Sequence, residues 1–143
     1  MVRFWDSSAV VPLLVTQTNS ARADEIIAAD DMIAAWWGTR IECHSAVARM
    51  EREGELTTAQ VVSALDRLTT LEAGWIEIAP AEAVRTSAVR LLRTHPLRAA
   101  DALQLAAAIF AAEAAPHSLP FVTFDERLAL AASKEGFPVI TTA

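Results

Sequence analysis

Four carboxylate residues lie where the sequence predicts that strands end or helices begin. Asp6 follows the apolar run at residues 2–5, and Glu42 falls in the first turn of a predicted helix. Asp101 is near the start of an alanine-rich helix, and Asp125 follows a later apolar run. Because the carboxyl ends of parallel strands meet at one edge of a sheet, Asp6 and Asp125 are expected on the same rim, with Glu42 just beyond a third strand end.

Carboxylates held close together favour chemistry with a divalent cation. They repel one another, which raises some of their pKa values and lowers stability unless a cation is bound. Oxygen ligands without a His or Cys cluster select Mg²⁺ or Mn²⁺ over zinc. Two such ions about 4 Å apart, or one ion with a second brought by the substrate, activate a water and stabilise the leaving oxygen in phosphodiester hydrolysis. The four acids therefore indicate a hydrolysis that needs no nucleophilic side chain.

Three of these acids also have a purely structural interpretation. Asp6 and Asp125 each precede a predicted helix, so either could act as an N-cap that accepts an amide hydrogen bond. The segment Thr39-Arg40-Ile41-Glu42 fits a capping box, in which the glutamate bonds back to the threonine amide. Both interpretations stay open for each residue.

Asp101 is the hardest acid to explain as a purely structural residue. At helical spacing it heads a stripe with Leu105, Ala108 and Ala112, which should face the core. An ionised carboxylate there needs a partner or a metal. Arg98, three residues earlier, could be that partner.

The hydrophobic pattern predicts five short strands alternating with seven helices. The predicted strands are 2–5, 32–35, 75–78, 120–124 and 138–140, and the predicted helices are 9–15, 20–29, 39–53, 57–73, 81–93, 97–115 and 126–135. Strands separated by helices pair in parallel through crossovers. The expected fold class is therefore α/β, with a five-stranded, mostly parallel sheet and helices on both faces.

Length and cysteine usage predict one intracellular domain. A chain of 143 residues is long enough for a single core, so we expect one domain spanning 1–143. The single cysteine, Cys43, excludes an internal disulfide and fits a reducing cytoplasm. Asp6 and Pro12 interrupt the only N-terminal apolar run, so no secretory signal is expected. The longest apolar stretch, 105–112, is far shorter than the about 20 residues that span a bilayer.

The net charge of −6 argues against indiscriminate binding to nucleic acid. It does not exclude a nucleic-acid enzyme, because cations bound among pooled acids would change the sign of the charge that a substrate meets there. Arg40 and Arg98 lie close in sequence to Glu42 and Asp101, and they could either steer phosphate or balance the acids.

Four segments together resemble a known family. They are Asp6-Ser7-Ser8-Ala9 after the first strand, Glu42 in the helix after the second strand, Ala100-Asp101-Ala102-Leu103-Gln104-Leu105-Ala106, and Thr123-Phe124-Asp125-Glu126-Arg127-Leu128. In order and spacing they are similar to the PIN-domain ribonucleases, and within these to the VapC toxins of bacterial toxin–antitoxin pairs. Trp36-Trp37-Gly38 departs from the pattern, because small polar residues are expected there.

The resemblance implies a function and a role for each matching residue. It implies Mg²⁺-dependent endonucleolytic cleavage of RNA, frequent homodimers, and inhibition by a VapB-like antitoxin lying over the acidic pocket. Asp6 and Asp101 would be the principal metal ligands, with Glu42 and Asp125 as supporting ligands or water positioners. The hydroxyls of Ser7 or Ser8 and of Thr123 would hold these acids by hydrogen bonds.

Other side chains are predicted to be structural. Trp36 and Trp37 could stack on a base or lie in a dimer interface, but core packing at a strand end is favoured. His44, His95 and His117 have no metal-ligand spacing and are expected to be solvated or to cap helices.

Three other functions are weighed against the toxin. Phosphotransfer through Asp6 would favour a second aspartate two positions on, where Ser8 stands, and a lysine near a later strand end, whereas the single lysine is Lys134 inside the last predicted helix. A non-toxin PIN-domain RNA-processing nuclease and a catalytically silent module that binds a basic segment both stay open.

Overall fold

The predicted strands form one sheet in a computed structural model, which describes residues 1–142. Within these residues the strands are β1 (Arg3–Trp5), β2 (Ile33–Trp36), β3 (Ile76–Ile78), β4 (Phe121–Val122) and β5 (Val139–Ile140). The helices are α1 (Ser7–Leu14), α2 (Ser20–Ala29), α3 (Thr39–Arg52), α4 (Thr58–Gly74), α5 (Glu82–Thr94), α6 (Ala99–Ala112) and α7 (Glu126–Lys134). A short 3₁₀ turn, Pro116–Ser118, precedes β4. The predicted α/β class is confirmed.

The sheet is parallel throughout, with β1 at its centre. The strand order is β3-β2-β1-β4-β5, and Phe4 of β1 pairs with Ala34 of β2 on one side and Phe121 of β4 on the other. From β1 the chain builds outward to β3 and then crosses back to β4. Such a reversal leaves a crevice beyond the carboxyl ends of the two strands that flank it. Asp6 and Thr123, which follow β1 and β4, border this crevice.

Alternation along the strands divides the core between the two faces of the sheet. Phe4 and Trp5 are adjacent, and because successive strand side chains point to opposite faces, each joins a different buried cluster. Phe4 packs with α5, α6 and α7, and its ring stacks on Phe121 at 5.2 Å between centroids. Trp5 packs with α1, α2, α3 and α4. The predicted helices on both faces are confirmed.

Two helices differ from the prediction by two residues or more at one end or both. Helix α1 begins at Ser7 rather than at residue 9, so the hydroxyls of Ser7 and Ser8 are held on the helix that follows Asp6. Helix α6 covers Ala99–Ala112 rather than 97–115. Glu113 and Ala114 have positive φ angles of 49° and 64°, which end the helix although neither is a glycine.

The Trp36-Trp37-Gly38 segment sends its two indoles in different directions. Trp36 is buried in the core, as predicted, whereas Trp37 is 48% exposed, so core packing is wrong for the second tryptophan. Gly38 lies so close to Trp36 that a Cβ at this position would come within 2.6 Å of the indole Nε1. A glycine is therefore needed where β2 turns into α3.

Among residues 1–142, no helix is both long enough and apolar enough to cross a bilayer.

Candidate functional site

The four predicted acids line one cavity at the carboxyl edge of the sheet. This cavity, of about 440 Å³, is here called the acidic cleft, and it is bordered by Asp6, Glu42, Asp101 and Asp125 together with Ser7 and Ser8. Asp6 follows β1, Glu42 is on α3, Asp101 is on α6 and Asp125 precedes α7. Four separate segments therefore bring these side chains to the crevice between β1 and β4.

Asp6 is a buried carboxylate held by hydroxyl groups. Thr123 donates from Oγ1 to Asp6 Oδ2 at 2.6 Å, and Ser8 donates to the same oxygen. Asp6 precedes α1 in the N-cap position, but its side chain makes no capping hydrogen bond, so the cap interpretation is wrong for this residue. Burial raises the pKa of Asp6 although the hydroxyls of Ser8 and Thr123 oppose the shift. The less occupied oxygen, Oδ1, has only a 3.4 Å contact with Ser7.

Glu42 is oriented by two donors from distant parts of the chain. Ser7 donates to Oε1 at 2.9 Å, and Gln104 donates from Nε2 to Oε2 at 3.0 Å. The N-cap residue of α3 is Gly38, no side chain caps this helix, and Thr39 is its first residue. The predicted capping box is therefore wrong. Burial is the main cause that raises the pKa of Glu42, and the charges of Asp6 and Asp101 act in the same direction.

Asp101 has no cationic partner among the described residues. It lies in the first turn of α6 and is partly buried. Arg98, which the sequence offered as a possible partner, forms no ion pair with it within residues 1–142. Burial raises the pKa of Asp101, and the charge of Asp125 adds to that effect. A carboxylate near a helix N-terminus is favoured by the helix dipole, which accounts for its position but not for its acidic neighbours.

Asp125 does cap a helix. Its Oδ1 accepts a hydrogen bond from the Leu128 amide at 2.9 Å, so the N-cap interpretation is confirmed for this acid. The Thr123 hydroxyl in turn accepts from the Asp125 amide at 3.1 Å, which ties the start of α7 to the group that holds Asp6. The cap uses one carboxylate oxygen and leaves the other for the cleft.

The donor types in the cleft fit a hard divalent cation. Within residues 1–142, no three His, Cys, Asp or Glu side chains converge as a ready-made metal group. The described lining of the cleft nevertheless includes four carboxylates and the hydroxyls of three serines and contains no His or Cys, and three of its acids have raised pKa values. Mg²⁺ commonly uses one or two carboxylates and keeps several waters, which matches acids that share a cleft without converging.

The two predicted arginines are placed differently. Arg40 pairs with Glu72 of α4 at 3.4 Å and lines a separate pocket beside His44, away from the acidic cleft. Arg98 borders a cavity of about 520 Å³, here called the α7 pocket, which shares Asp101 and Asp125 with the cleft. Only Arg98 is therefore brought beside the acids.

The histidines lie outside the cleft, and one of them is buried. His95 ends α5, and its Nε2 lies 2.7 Å from Glu135, which also pairs with Arg90 at 2.8 Å. Hydrogen bonds from Arg90 first, and also from His95, lower the pKa of Glu135. His44 and His117 are exposed, as predicted for solvated residues.

Sequence reasoning missed the role of Gln104, which connects Thr39 and Glu42 by hydrogen bonds. Gln104 and Thr39 are both fully buried, and Gln104 Nε2 donates to Thr39 Oγ1 at 2.9 Å as well as to Glu42. The Gln104 Oε1 has no hydrogen-bond partner among the described residues. A pattern could have revealed this residue, because Asp101 and Gln104 are the two polar side chains of α6 and are three positions apart.

Cys43 lies beside the site without entering it. It follows Glu42 on α3 and is fully buried. Burial, with smaller contributions from the charges of Glu42 and Asp6, raises the pKa of its thiol to about 12. Such a thiol is not a nucleophile near neutral pH, which leaves the acids and hydroxyls as the reactive groups of the cleft.

Comparison with solved structures identifies the fold. FitAcB from Neisseria gonorrhoeae is 18% identical with a TM-score of 0.66, and the alignment covers 99% of this chain and 98% of that one. A toxin–antitoxin complex from Klebsiella pneumoniae gives 17% identity and a TM-score of 0.65, with 99% and 98% covered. VapC20 from Mycobacterium tuberculosis, a Sarcin-Ricin loop cleaving toxin, gives 17% identity and a TM-score of 0.62, with 96% of both chains covered.

Sequence comparisons add no closer relationship. No protein-family model matches the chain, and no curated protein sequence matches it significantly. At this level of identity the structural likeness establishes the fold alone. The chain therefore has the PIN-like α/β fold that its sequence motifs resembled, and it shares that fold with proteins of toxin–antitoxin systems.

Proposed function

We propose that residues 1–143 form a single PIN-like nuclease domain that hydrolyses RNA phosphodiester bonds with Mg²⁺ or Mn²⁺. The observation that carries this proposal is the acidic cleft, in which four carboxylates from four segments line one cavity at the carboxyl edge of a parallel sheet. Burial and mutual repulsion raise the pKa values of three of them, as expected for acids that a cation would stabilise. The described lining of the cleft contains no His or Lys that could serve as a base for a serine, and no Cys, so a hydrolytic water is the natural nucleophile.

Each acid has a proposed part. Asp6 and Asp101 would hold the metal, with Ser8 and Thr123 fixing the Asp6 carboxylate from behind. Glu42, oriented by Ser7 and Gln104, would position a water or a second ion. Asp125 would present its second oxygen to the same space. The bound cation would supply water activation and stabilisation of the leaving oxygen.

We further propose that the protein is the toxin of a toxin–antitoxin pair. Structural neighbours include a toxin–antitoxin complex and a Sarcin-Ricin loop cleaving toxin. The expected partners are an RNA substrate, a VapB-like antitoxin that covers the acidic cleft, and a second copy of the chain in a homodimer. The expected location is the cytoplasm, where such an RNA would be met.

Cleavage of single-stranded RNA by the purified chain tests the activity. We expect Mn²⁺-dependent cleavage by the wild type and at least a 100-fold loss in Asp101→Asn, because the substitution removes a charged ligand but keeps the shape of the side chain. Asp24→Asn is the matched control, since Asp24 is exposed on α2 and outside the cleft. Calorimetric titration of Mn²⁺ into both variants shows whether the lost activity follows lost metal binding.

Two outcomes would contradict the proposal. A folded wild-type chain that binds no divalent ion would end the nuclease hypothesis and favour a silent acidic module that receives a basic partner segment. Equal loss of activity in the Asp24 and Asp101 variants would show that the acidic cleft is not the catalytic site.

A further inference from the structure

The acidic cleft ends at an arginine on the α3 side. Glu42, Ser45 and Arg49 recur at helical spacing on one face of α3, and all three line the cleft. Seven residues are two helical turns, so Arg49 starts about 10 Å along the helix from Glu42. The side chain of Arg49 is exposed, and it forms no ion pair with a carboxylate within residues 1–142.

The opposite end of the acids is also bordered by arginines. The α7 pocket shares Asp101 and Asp125 with the cleft, and its other charged lining residues are Arg98, Arg127 and Glu126. Both arginines are exposed, and neither forms an ion pair with a described residue. Both arginines therefore line the same cavity as Asp101 and Asp125, the two acids that the α7 pocket shares with the cleft.

These three arginines are distinguished by their place beside the acids, because Arg52 and Arg93 also form no ion pair with a described residue but lie outside both cavities. Arg22, Arg40, Arg85 and Arg90 each pair with a glutamate. The chain has a net charge of −6 and therefore no excess of basic residues. An excess of basic residues thus does not explain why arginines without a carboxylate partner lie on both sides of the acidic centre. A guanidinium is well shaped to bind phosphate oxygens through two parallel hydrogen bonds.

We propose that Arg49 and Arg127 bind phosphates of one single-stranded RNA on opposite sides of the acidic centre, with Arg98 beside Arg127. This inference rests on the proposed nuclease function and adds the path of the substrate to it. The strand would run from α3, over Asp6 and Asp101, to the start of α7. Arginines at both ends offset the repulsion between the acids and the RNA backbone. They also hold the phosphodiester bond that lies between the two bound phosphates over the acids.

Binding of RNA to matched arginine variants tests this path. All variants carry Asp101→Asn, which should stop turnover, and binding of a fluorescein-labelled single-stranded RNA is followed by fluorescence anisotropy in Mg²⁺ at several salt concentrations. We expect Arg49→Gln and Arg127→Gln each to weaken binding by about 3- to 10-fold. Each substitution should also reduce, by about one, the magnitude of the negative slope of log association constant against log salt concentration.

Two further arginines provide controls of equal charge. Arg52 lies three residues after Arg49 on α3, and Arg93 lies on α5; both are exposed and lie outside the cleft and the α7 pocket. Arg52→Gln and Arg93→Gln should change the affinity less than twofold. Equal effects of Arg49→Gln and Arg52→Gln, or no RNA binding by the parent, would overturn the inference.

The outcome is separable from that of the proposed function. If the wild type cleaves RNA but Arg49→Gln and Arg52→Gln change the RNA affinity equally, the proposed RNA path is wrong and the nuclease proposal stands. If the wild type cleaves no RNA while binding depends on Arg49 and Arg127 and not on the controls, the nuclease proposal fails and the binding path stands.

Discussion

At the scale of single residues, the site depends on hydrogen bonds between parts of the chain that are far apart in sequence. The acids were predictable because each stands next to a strand end or a helix start. Their hydrogen-bond partners were harder to predict, because Glu42 accepts hydrogen bonds from residues 35 and 62 positions away in the sequence. Local reasoning offered Thr39 as the partner of Glu42, and it failed because Gln104 reaches both residues from α6. A buried amide in an alanine-rich helix is the feature that marks this connection.

Replacing Gln104 with Met tests whether this amide orients Glu42. The variant removes the donor and the unpartnered Oε1 at similar side-chain volume, so the free energy of unfolding should change by less than about 1.5 kcal/mol. We expect kcat for RNA cleavage to fall at least tenfold with little change in KM, because Glu42 loses one of its two donors.

The control for this prediction is Gln17→Met, which makes the same change at another position lining the cleft. In a Glu42→Gln background, Gln104→Met should have little further effect on kcat, as expected for residues that act together. Additive effects in this double-mutant cycle would show that Gln104 contributes only to stability.

At the scale of elements, periodicity and turn residues were enough to predict the order of strands and helices. Each strand is short, but buried apolar residues on both faces and intervening helices leave parallel pairing as the outcome. The end of α6 was predicted poorly, because Glu113 and Ala114 adopt left-handed backbone angles in a run of good helix formers. Neither residue is a glycine, so the sequence carries no marker of a left-handed turn at this point.

Asp125 allows its role at the start of α7 to be separated from its role in the cleft. Asp125→Ala removes the cap and should lower the free energy of unfolding by about 1 kcal/mol, whereas Asp125→Ser keeps a capping oxygen and should have little effect on stability. If the carboxylate also serves the reaction, both variants lose RNA cleavage. Retained cleavage in Asp125→Ser, measured beside its thermal unfolding, would mean that Asp125 is a cap alone.

At the scale of the whole molecule, the acids make stability depend on pH. Asp6, Glu42 and Asp101 have folded-state pKa values above their ordinary ones, mainly because of burial. In the folded chain they retain protons that the unfolded chain has already released. The free energy of unfolding of the metal-free protein should therefore fall as the pH rises above about 4.5. Glu135 has a lowered pKa, so its contribution is lost only at lower pH.

Thermal unfolding in a chelator at pH 5 and pH 7.5 tests this dependence. Asp101→Asn removes one of the three carboxyls, so its Tm should exceed that of the wild type by a few degrees at pH 7.5 and by less at pH 5. We expect the same direction for Asp6→Asn, reduced by weaker hydrogen bonds to its hydroxyl partners. Asp24→Asn should follow the wild type at both pH values. A wild-type Tm that is unchanged or higher at pH 7.5 would contradict the raised pKa values of these three acids, which support the cation hypothesis.

The buried Cys43 gives the chain an internal reporter of motion. A thiol reagent can modify this sulfur only when α3 opens, because the side chain is enclosed and the pKa of its thiol is about 12. The labelling rate thus measures how often the helix that carries Glu42 separates from the sheet. Any molecule that settles among the acids and steadies this helix will slow the labelling, without itself contacting the sulfur.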